Sequence, residues 1–348
     1  MNYQEILDQS RPLMGKVCKS CPVCNGKACG NKVPGPGAKG TGTVAIRNYD
    51  AWQNIYVNMD TLTSNAPVDT TLELFGKTFK YPIFAGPVGA IQLHYGDSLD
   101  DNSYNDILVR GCKEAGIAAF TGDGVNPAIM QASTQYIKEN DGIGVPTIKP
   151  WGEEIYDEKL KLAIESNAFA VAMDIDAAGL PFLKGQTPPA GRKSQEELKR
   201  IIDKTPVPFV VKGVMTVNGA LKAKEAGAKG IVVSNHGGRV LDGTPATADV
   251  LEEIVKAVDG SMKIFVDGGI RSGTDIFKAL ALGADAVIIA RPYVNMVFGG
   301  KEEGIKALTE KLGAELKDTM EMCGATTLLE ITRAVSYTHL TLPTKRIV

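Results

Sequence analysis

The hexapeptide Ser234-Asn-His-Gly-Gly-Arg239 puts an imidazole and a guanidinium three residues apart across two glycines, directly after the apolar run Gly230-Ile-Val-Val. At that spacing the imidazole can accept a proton while the guanidinium clamps an anion. Ionic side chains also close other apolar runs: Lys149, Asp174 with Asp176, Lys212, Asp267 to Arg271, and Arg291. A lysine at the end of Val210-Val211-Lys212 is costly to desolvate unless an anion meets it. A polar turn with a surface arginine explains any one of these features taken alone.

A separate group of reactive side chains lies near the start. Cys18, Cys21, Cys24 and Cys29, four of the six cysteines, are spaced Cys-x₂-Cys-x₂-Cys-x₄-Cys. A ferredoxin-type iron–sulfur run has a final interval one residue shorter and a proline after it, where this chain has Gly30. A tetrahedral zinc site takes the same ligands. The residues leave three readings open: a structural metal or iron–sulfur cluster, a redox-active thiol set, and unliganded cysteines. Cys112 and Cys323 fall in helical patterns and are expected in the core.

The elements that must position these groups form a rhythm. Strand-like runs occur at Pro82–Ala85, Ile117–Thr121, Val145–Lys149, Phe169–Asp174, Pro208–Lys212, Gly230–Ser234, Lys263–Asp267 and Ala286–Ala290. Amphipathic stretches separate them, several ending on a small residue plus glycine, as in Ala115-Gly116 and Ala226-Gly227. Glycine there takes the left-handed conformation that closes a helix. Eight strands alternating with helices predict an α/β fold, a closed (β/α)8 TIM barrel, whose active site forms at the carboxyl ends of the strands. The loops after strands seven and eight suit a phosphate, with glycine amides, a helix N-terminus and two arginines.

Residues 1–65 read as a cysteine-rich irregular extension, with Ile6 and Leu7 in a short helix and a turn-rich loop at Val33-Pro-Gly-Pro-Gly-Ala-Lys-Gly-Thr-Gly. That loop lacks the order of a phosphate-binding Gly-rich motif, so it reads as a flexible or packing loop. The barrel domain spans 66–335 and begins with a hairpin, Thr71 to Phe75 and Thr78 to Tyr81 about Gly76-Lys77. Residues 336–348 continue no periodic pattern and read as a non-native tail.

The chain has 348 residues, 44% hydrophobic and 22% charged, with net charge −2. This is the composition of a globular protein, and it supplies no electrostatic ground for nucleic acid or anionic membrane as a partner. With no secretory leader pattern at the start, the expected location is cytoplasmic.

Lys212, the hexapeptide 234–239 with Leu241-Asp-Gly243 and Pro245-Ala-Thr247, then Asp267-Gly-Gly-Ile-Arg271 and Gly283-Ala-Asp-Ala-Val-Ile-Ile-Ala-Arg291, closely resemble the FMN-dependent α-hydroxy acid dehydrogenase and oxidase family, which includes glycolate oxidase and lactate oxidase. The resemblance implies FMN across the barrel mouth. Pro87, Val88, Gly89 and Ala90 would line the flavin near N5, and Thr121 and Lys149 would join the cofactor contacts. Lys212 would lie near N1 and the C2 oxygen, and Ser234 against the ring. Asp267, Gly268, Gly269, Arg271, Ala290 and Arg291 would hold the ribityl phosphate. It further implies that His236 is the base, Asp176 its orienting carboxylate, and Arg239 the clamp on the carboxylate of a small L-2-hydroxy acid, lactate-like or glycolate-like, with oxygen or another acceptor taking the electrons. A homo-oligomer, tetramer or larger, follows by the same resemblance. An iron–sulfur centre beside FMN would favour delivery of electrons to a partner over direct oxygen reduction.

This chain departs from the family pattern in two places, and Tyr3 does not align with the substrate tyrosine that the family carries near its N-terminus. The third strand ends in Thr147-Ile-Lys149-Pro-Trp151 where the family carries Gln-x-Tyr, and no arginine follows shortly after Asp176, where the family carries a second clamp. Lys149 either offsets that loss or contacts the flavin. His94 is expected in a packing or supporting role. The alternatives are an FMN-dependent isomerase resembling type 2 isopentenyl diphosphate isomerase, and a flavoprotein without 2-hydroxy acid activity.

Overall fold

In the computed structural model, which describes residues 2–183, 185 and 190–338, eight parallel strands close into a barrel. They are β1 (Ile83–Ala85), β2 (Ala118–Thr121), β3 (Val145–Ile148), β4 (Val171–Asp174), β5 (Phe209–Val214), β6 (Gly230–Val233), β7 (Lys263–Asp267) and β8 (Ala286–Ile289). All eight strands expected from the apolar runs are present, with bounds within two residues of those expected at either end. Each pairs with its neighbours in sequence order, and β8 closes on β1 through Val287 opposite Ile83. Strands covered on the outside by helices and filled on the inside by side chains are apolar throughout, which is why the runs lack alternation.

The barrel interior is packed with Phe84, Phe120 and Phe265, whose rings meet nearly edge-on at 5.5–5.9 Å. Below them the hairpin Leu72–Leu74 and Lys77–Phe79 adds Leu72, Leu74 and Phe79 to the same cluster. Its turn is Phe75-Gly76 rather than the expected Gly76-Lys77, because Leu74 pairs with Lys77 and both turn residues have positive φ. Two left-handed residues match the twist of a two-residue hairpin. With one end plugged, the carboxyl ends of the strands form the only open face of the barrel among the described residues.

The extension is more regular than its sequence suggests. Helix Tyr3–Leu13, started by a capping box between Asn2 and Glu5, packs on the long helix Arg291–Met322, where a Cβ on Gly299 would come within 2.2 Å of the Ile6 carbonyl. A second, unanticipated helix, Thr43–Gln53, lies over the barrel mouth: Trp52 Nε1 donates to the Gly268 carbonyl. Its single turn of glycine-rich sequence beforehand masked it. The region after Gly324 forms only short 3-10 turns. Ser336–Thr338, the first residues of the stretch read as a tail, pair antiparallel with Ile55–Val57, and 339–348 lie outside the described residues. No described helix is long and apolar enough to cross a membrane.

Candidate active site

The open end of the barrel holds a cavity of about 540 Å³ lined by residues of all the expected site loops, a size suited to a small-molecule ligand. Of the residues assigned by sequence, Pro87, Val88, Gly89, Ala90, Lys149, Lys212, His236, Arg239, Asp267, Gly268, Gly269, Arg271, Ala290 and Arg291 line it. Thr121, Ser234 and Asp176 do not; Thr121 and Ser234 are fully buried behind the lining. Ser234 Oγ donates to Asp267 Oδ2 and accepts from the His236 amide, so it braces the site from beneath.

His236 Nδ1 lies 2.9 Å from Asp176 Oδ1. Asp176, as a carboxylate, is an acceptor, which places the imidazole proton on Nδ1 and leaves the Nε2 lone pair without a partner among the described residues. The backbone is built for this: His236 has φ 57°, a conformation costly for a non-glycine residue and concentrated at functional sites. A bulge in β5 makes room for Asp176. Gly213, at φ 103°, would bring a Cβ within 2.5 Å of the Asp176 carboxyl carbon, so only glycine fits.

Asp174 is more central than its sequence position implied. Its carboxylate meets Lys212 Nζ at 3.0 Å, His236 Nδ1 at 3.5 Å and Lys149 Nζ at 3.8 Å. Burial alone would raise its pKa, but the charges of His236, Lys212 and Lys149 outweigh that and hold it far below the usual carboxylate range. Asp176 moves the other way, pushed up chiefly by burial. Lys212 is nearly inaccessible; burial opposes its charge, yet Asp174, Asp176 and Asp267 push its pKa well up. Thus Lys149 stands beside the same carboxylate as Lys212.

Arg239 is tied down by the extension. Its Nη1 donates to the carbonyls of Gly35 and Gly37, at 2.5 and 3.1 Å, and burial lowers its pKa to about 10, still charged at neutral pH. The glycine-rich loop is therefore a packing loop. Lys39 Nζ bonds the carbonyls of Gly179 and Val240, the Asp242 carboxylate accepts from Thr41, and Gly238 is packed against Ala38 and Val44. Asn48 and Asn235 exchange side-chain amide bonds at 2.7 and 2.9 Å. No role was assigned from sequence to Asn48, Asn235 or Lys39, and Asp174 was noted only as a strand-end carboxylate beside Asp176, since an amide pair or a strap lysine gains meaning only from a partner far along the chain. The same holds for Asp123, buried with Lys159, Trp151 Nε1 and the Lys149 amide at the rim of β2 and β3.

The four cysteines gather around one small second cavity, whose wall includes Tyr95, Arg291 and Asn295. Arg271 Nε donates to the Cys24 carbonyl at 2.6 Å, and its Nη2 lies 3.9 Å from Cys24 Sγ. Burial pushes the Cys18 thiol up to about 11. No three of the four sulfurs lie within 4.8 Å of one another. Cys112 and Cys323 are buried, as expected.

A closed barrel with a histidine–carboxylate pair, a buried lysine and two arginines at its carboxyl-end mouth defines a flavin-type oxidoreductase scaffold. The chain belongs to the FMN-dependent dehydrogenase family, whose model matches residues 36–181 and 173–338. The peroxisomal (S)-2-hydroxyacid oxidase GLO3 of Arabidopsis thaliana is 51% identical over 129 residues, 37% of this chain and 36% of that protein; the matched part spans about a third of such plant relatives. The 4-hydroxymandelate oxidase of Amycolatopsis orientalis is 29% identical over 320 residues, 83% of this chain and 88% of the relative. A mandelate oxidase structure with benzoyl-formic acid superimposes with TM-score 0.78 at 25% identity, covering 95% and 97% of the two chains.

The residues present fit FMN. Asp267 Oδ1 is buried without a hydrogen-bond partner among the described residues. Gly268 and Gly269 have φ 88° and 85°, and a Cβ on Gly269 would strike the Asn48 carbonyl at 2.2 Å. Ser272 caps helix Gly273–Ala281 beside Arg271, and Arg291 opens the long helix at Ala290. Two helix N-termini with two arginines suit a phosphate.

Proposed function

We propose that the protein oxidises a small 2-hydroxy acid to the 2-oxo acid with FMN as its cofactor. The observation that carries this is the His236–Asp176 pair with a free Nε2 facing a cation-lined cavity. FMN, held by the loops of Asp267–Arg271 and Ala290–Arg291 with Lys212 at its ring, supplies the two-electron acceptor. His236 Nε2 takes the hydroxyl proton as the substrate's C–H bond is broken; Asp176 holds the ring through Nδ1–H and stabilises the imidazolium so formed. Arg239 and Lys149 direct the substrate carboxylate. The relatives named for 2-hydroxyacid and 4-hydroxymandelate oxidation support the reading. Anaerobic addition of glycolate, lactate and mandelate is expected to bleach the oxidised flavin band with at least one of them; no bleaching by any 2-hydroxy acid would overturn the proposal.

We also propose that Cys18, Cys21, Cys24 and Cys29 hold an iron–sulfur cluster rather than a single zinc ion. The four cysteines line one small cavity, and their Cys-x₂-Cys-x₂-Cys run is that of a ferredoxin-type cluster. Arg271 offers a donor to Cys24 Sγ, the kind of contact that tunes cluster potential. Because Arg291 and Tyr95 line both cavities, such a cluster would adjoin the flavin and favour an acceptor other than oxygen. Protein purified anaerobically should carry iron and acid-labile sulfide together; zinc alone, or neither, would refute it.

A further inference from the structure

His94 lies in the short helix Ile91–Tyr95 and reaches into the main cavity, close to Phe182. Its Nδ1 accepts a hydrogen bond from the Gly35 amide at 3.1 Å. An amide can only donate, so Nδ1 must carry the lone pair. Burial, reinforced by the Arg239 charge, lowers the ring's pKa to about 3, so the ring is neutral and its one proton sits on Nε2. The backbone of the extension has fixed the tautomer.

The consequence is a local excess of donors. Arg239 Nη2 stands 3.3 Å from His94 Nε2 and 3.4 Å from Nδ1, so it lies beside the ring rather than in line with either nitrogen. Arg239 Nη1 is spent on Gly35 and Gly37, while Nη2 and Nε meet no oxygen acceptor among the described residues. His94 Nε2–H and Arg239 Nη2 thus converge on the cavity with no oxygen to accept from them among the described residues, Nη2 sharing at most the Nδ1 lone pair already taken by the Gly35 amide. Lys149 and His236 share the same wall. An arrangement of this kind is costly by itself and is relieved by an anionic oxygen.

We propose that His94 is a substrate-positioning residue, its Nε2–H and Arg239 Nη2 together binding the carboxylate of the 2-hydroxy acid. The inference rests on the oxidation proposed above. It gives this chain a neutral second donor, fixed by the strap Val33–Gly37, where no second arginine follows Asp176. It also turns the strap into part of the site, since Gly35 supplies both the amide that sets the His94 tautomer and a carbonyl that aims Arg239.

The test compares two polar variants of the FMN-loaded protein. H94N can keep an acceptor near the Nδ1 position but has no donor at Nε2, whereas H94Q can return a donor there. Binding of oxalate, a planar dicarboxylate, is read from perturbation of the flavin spectrum, and KM and kcat are measured with the best 2-hydroxy acid. H94N is expected to raise the oxalate Kd and KM on the order of ten- to a hundredfold, with kcat changed less than about threefold, and H94Q to recover most of the loss. Unchanged oxalate affinity in H94N overturns the inference, as does wild-type protein that binds no oxalate or an H94Q variant as weak as H94N. If the wild type binds oxalate and H94N does not, yet no 2-hydroxy acid bleaches the flavin, the anion site stands and only the oxidation fails.

Discussion

His236→Asn is expected to lower the rate of anaerobic flavin reduction by roughly 10²–10⁴-fold while FMN remains bound. Asparagine is the replacement that isolates the chemistry. Position 236 has a left-handed backbone at φ 57°, which asparagine tolerates better than most residues, so the turn and the Arg239 beyond it stay in place. The backbone amide of residue 236 keeps its bond to Ser234 Oγ. What disappears is the basic nitrogen. An amide cannot take the hydroxyl proton, and Asp176 loses the imidazolium it would have stabilised. Stopped-flow reduction of the bound flavin, with FMN content measured on the same samples, separates a chemical defect from a binding one. A rate within tenfold of wild type at full FMN occupancy would remove His236 from the role of base.

Lys212→Met should damage the protein more broadly. Lys212 is fully enclosed, 3.0 Å from Asp174 Oδ1 and 3.8 Å from Asp267 Oδ2. Methionine fills similar volume but leaves the buried Asp174 carboxylate without its nearest cation, and breaking a buried ion pair from one side costs about 3–5 kcal/mol. The pH dependence follows in sign. In the wild type the Asp174 pKa is depressed, so its contribution is complete above the ordinary carboxylate range and fades only as pH falls toward its lower folded value. The Lys212 pKa is raised, so its contribution is complete below the ordinary lysine range of about 10.4 and fades as pH rises beyond that. In the variant, burial acts on Asp174 with one fewer cation to oppose it, so protonation relieves the defect, and the stability gap to wild type should shrink between about pH 8 and about pH 5. Denaturant unfolding at several pH values, with an FMN titration, reads both effects. A gap below about 1 kcal/mol at neutral pH, or one that grows on acidification, would contradict this account.

The barrel was legible because its signal is local. Each strand is a short apolar run, most of them ended by a charged side chain, and each of those ends faces the cavity by the geometry of the fold. The loops at Asp267–Arg271 and Ala290–Arg291 were placed at the same mouth for the same reason, whereas the pairing of His236 with Asp176 was implied only by the family resemblance. What the residues could not disclose are relations between distant segments. Asp174 and Asp176 look equivalent in sequence, and the choice between lysine partner and histidine partner depends on the bulge at Gly213. Helix Thr43–Gln53 follows a glycine-rich loop and makes its contacts some 200 residues away, as when Asn48 meets Asn235. The hairpin turn shifted by one residue because backbone twist, not the identity of Gly76 alone, selects the turn pair.

The strap from Val33 to Thr41 carries an implication for how the molecule is assembled. It leaves the ribosome before any barrel strand, yet its partners Gly179, Gly238, Arg239 and Asp242 lie 140–204 residues downstream. Contacts at that sequence distance form only after long loop closure. This part of the rim therefore cannot close before β6 and its loop are in place, and until then the segment that carries the four cysteines lacks these anchors. Until that closure the thiols stay accessible and Arg239 is not yet held by the carbonyls of Gly35 and Gly37.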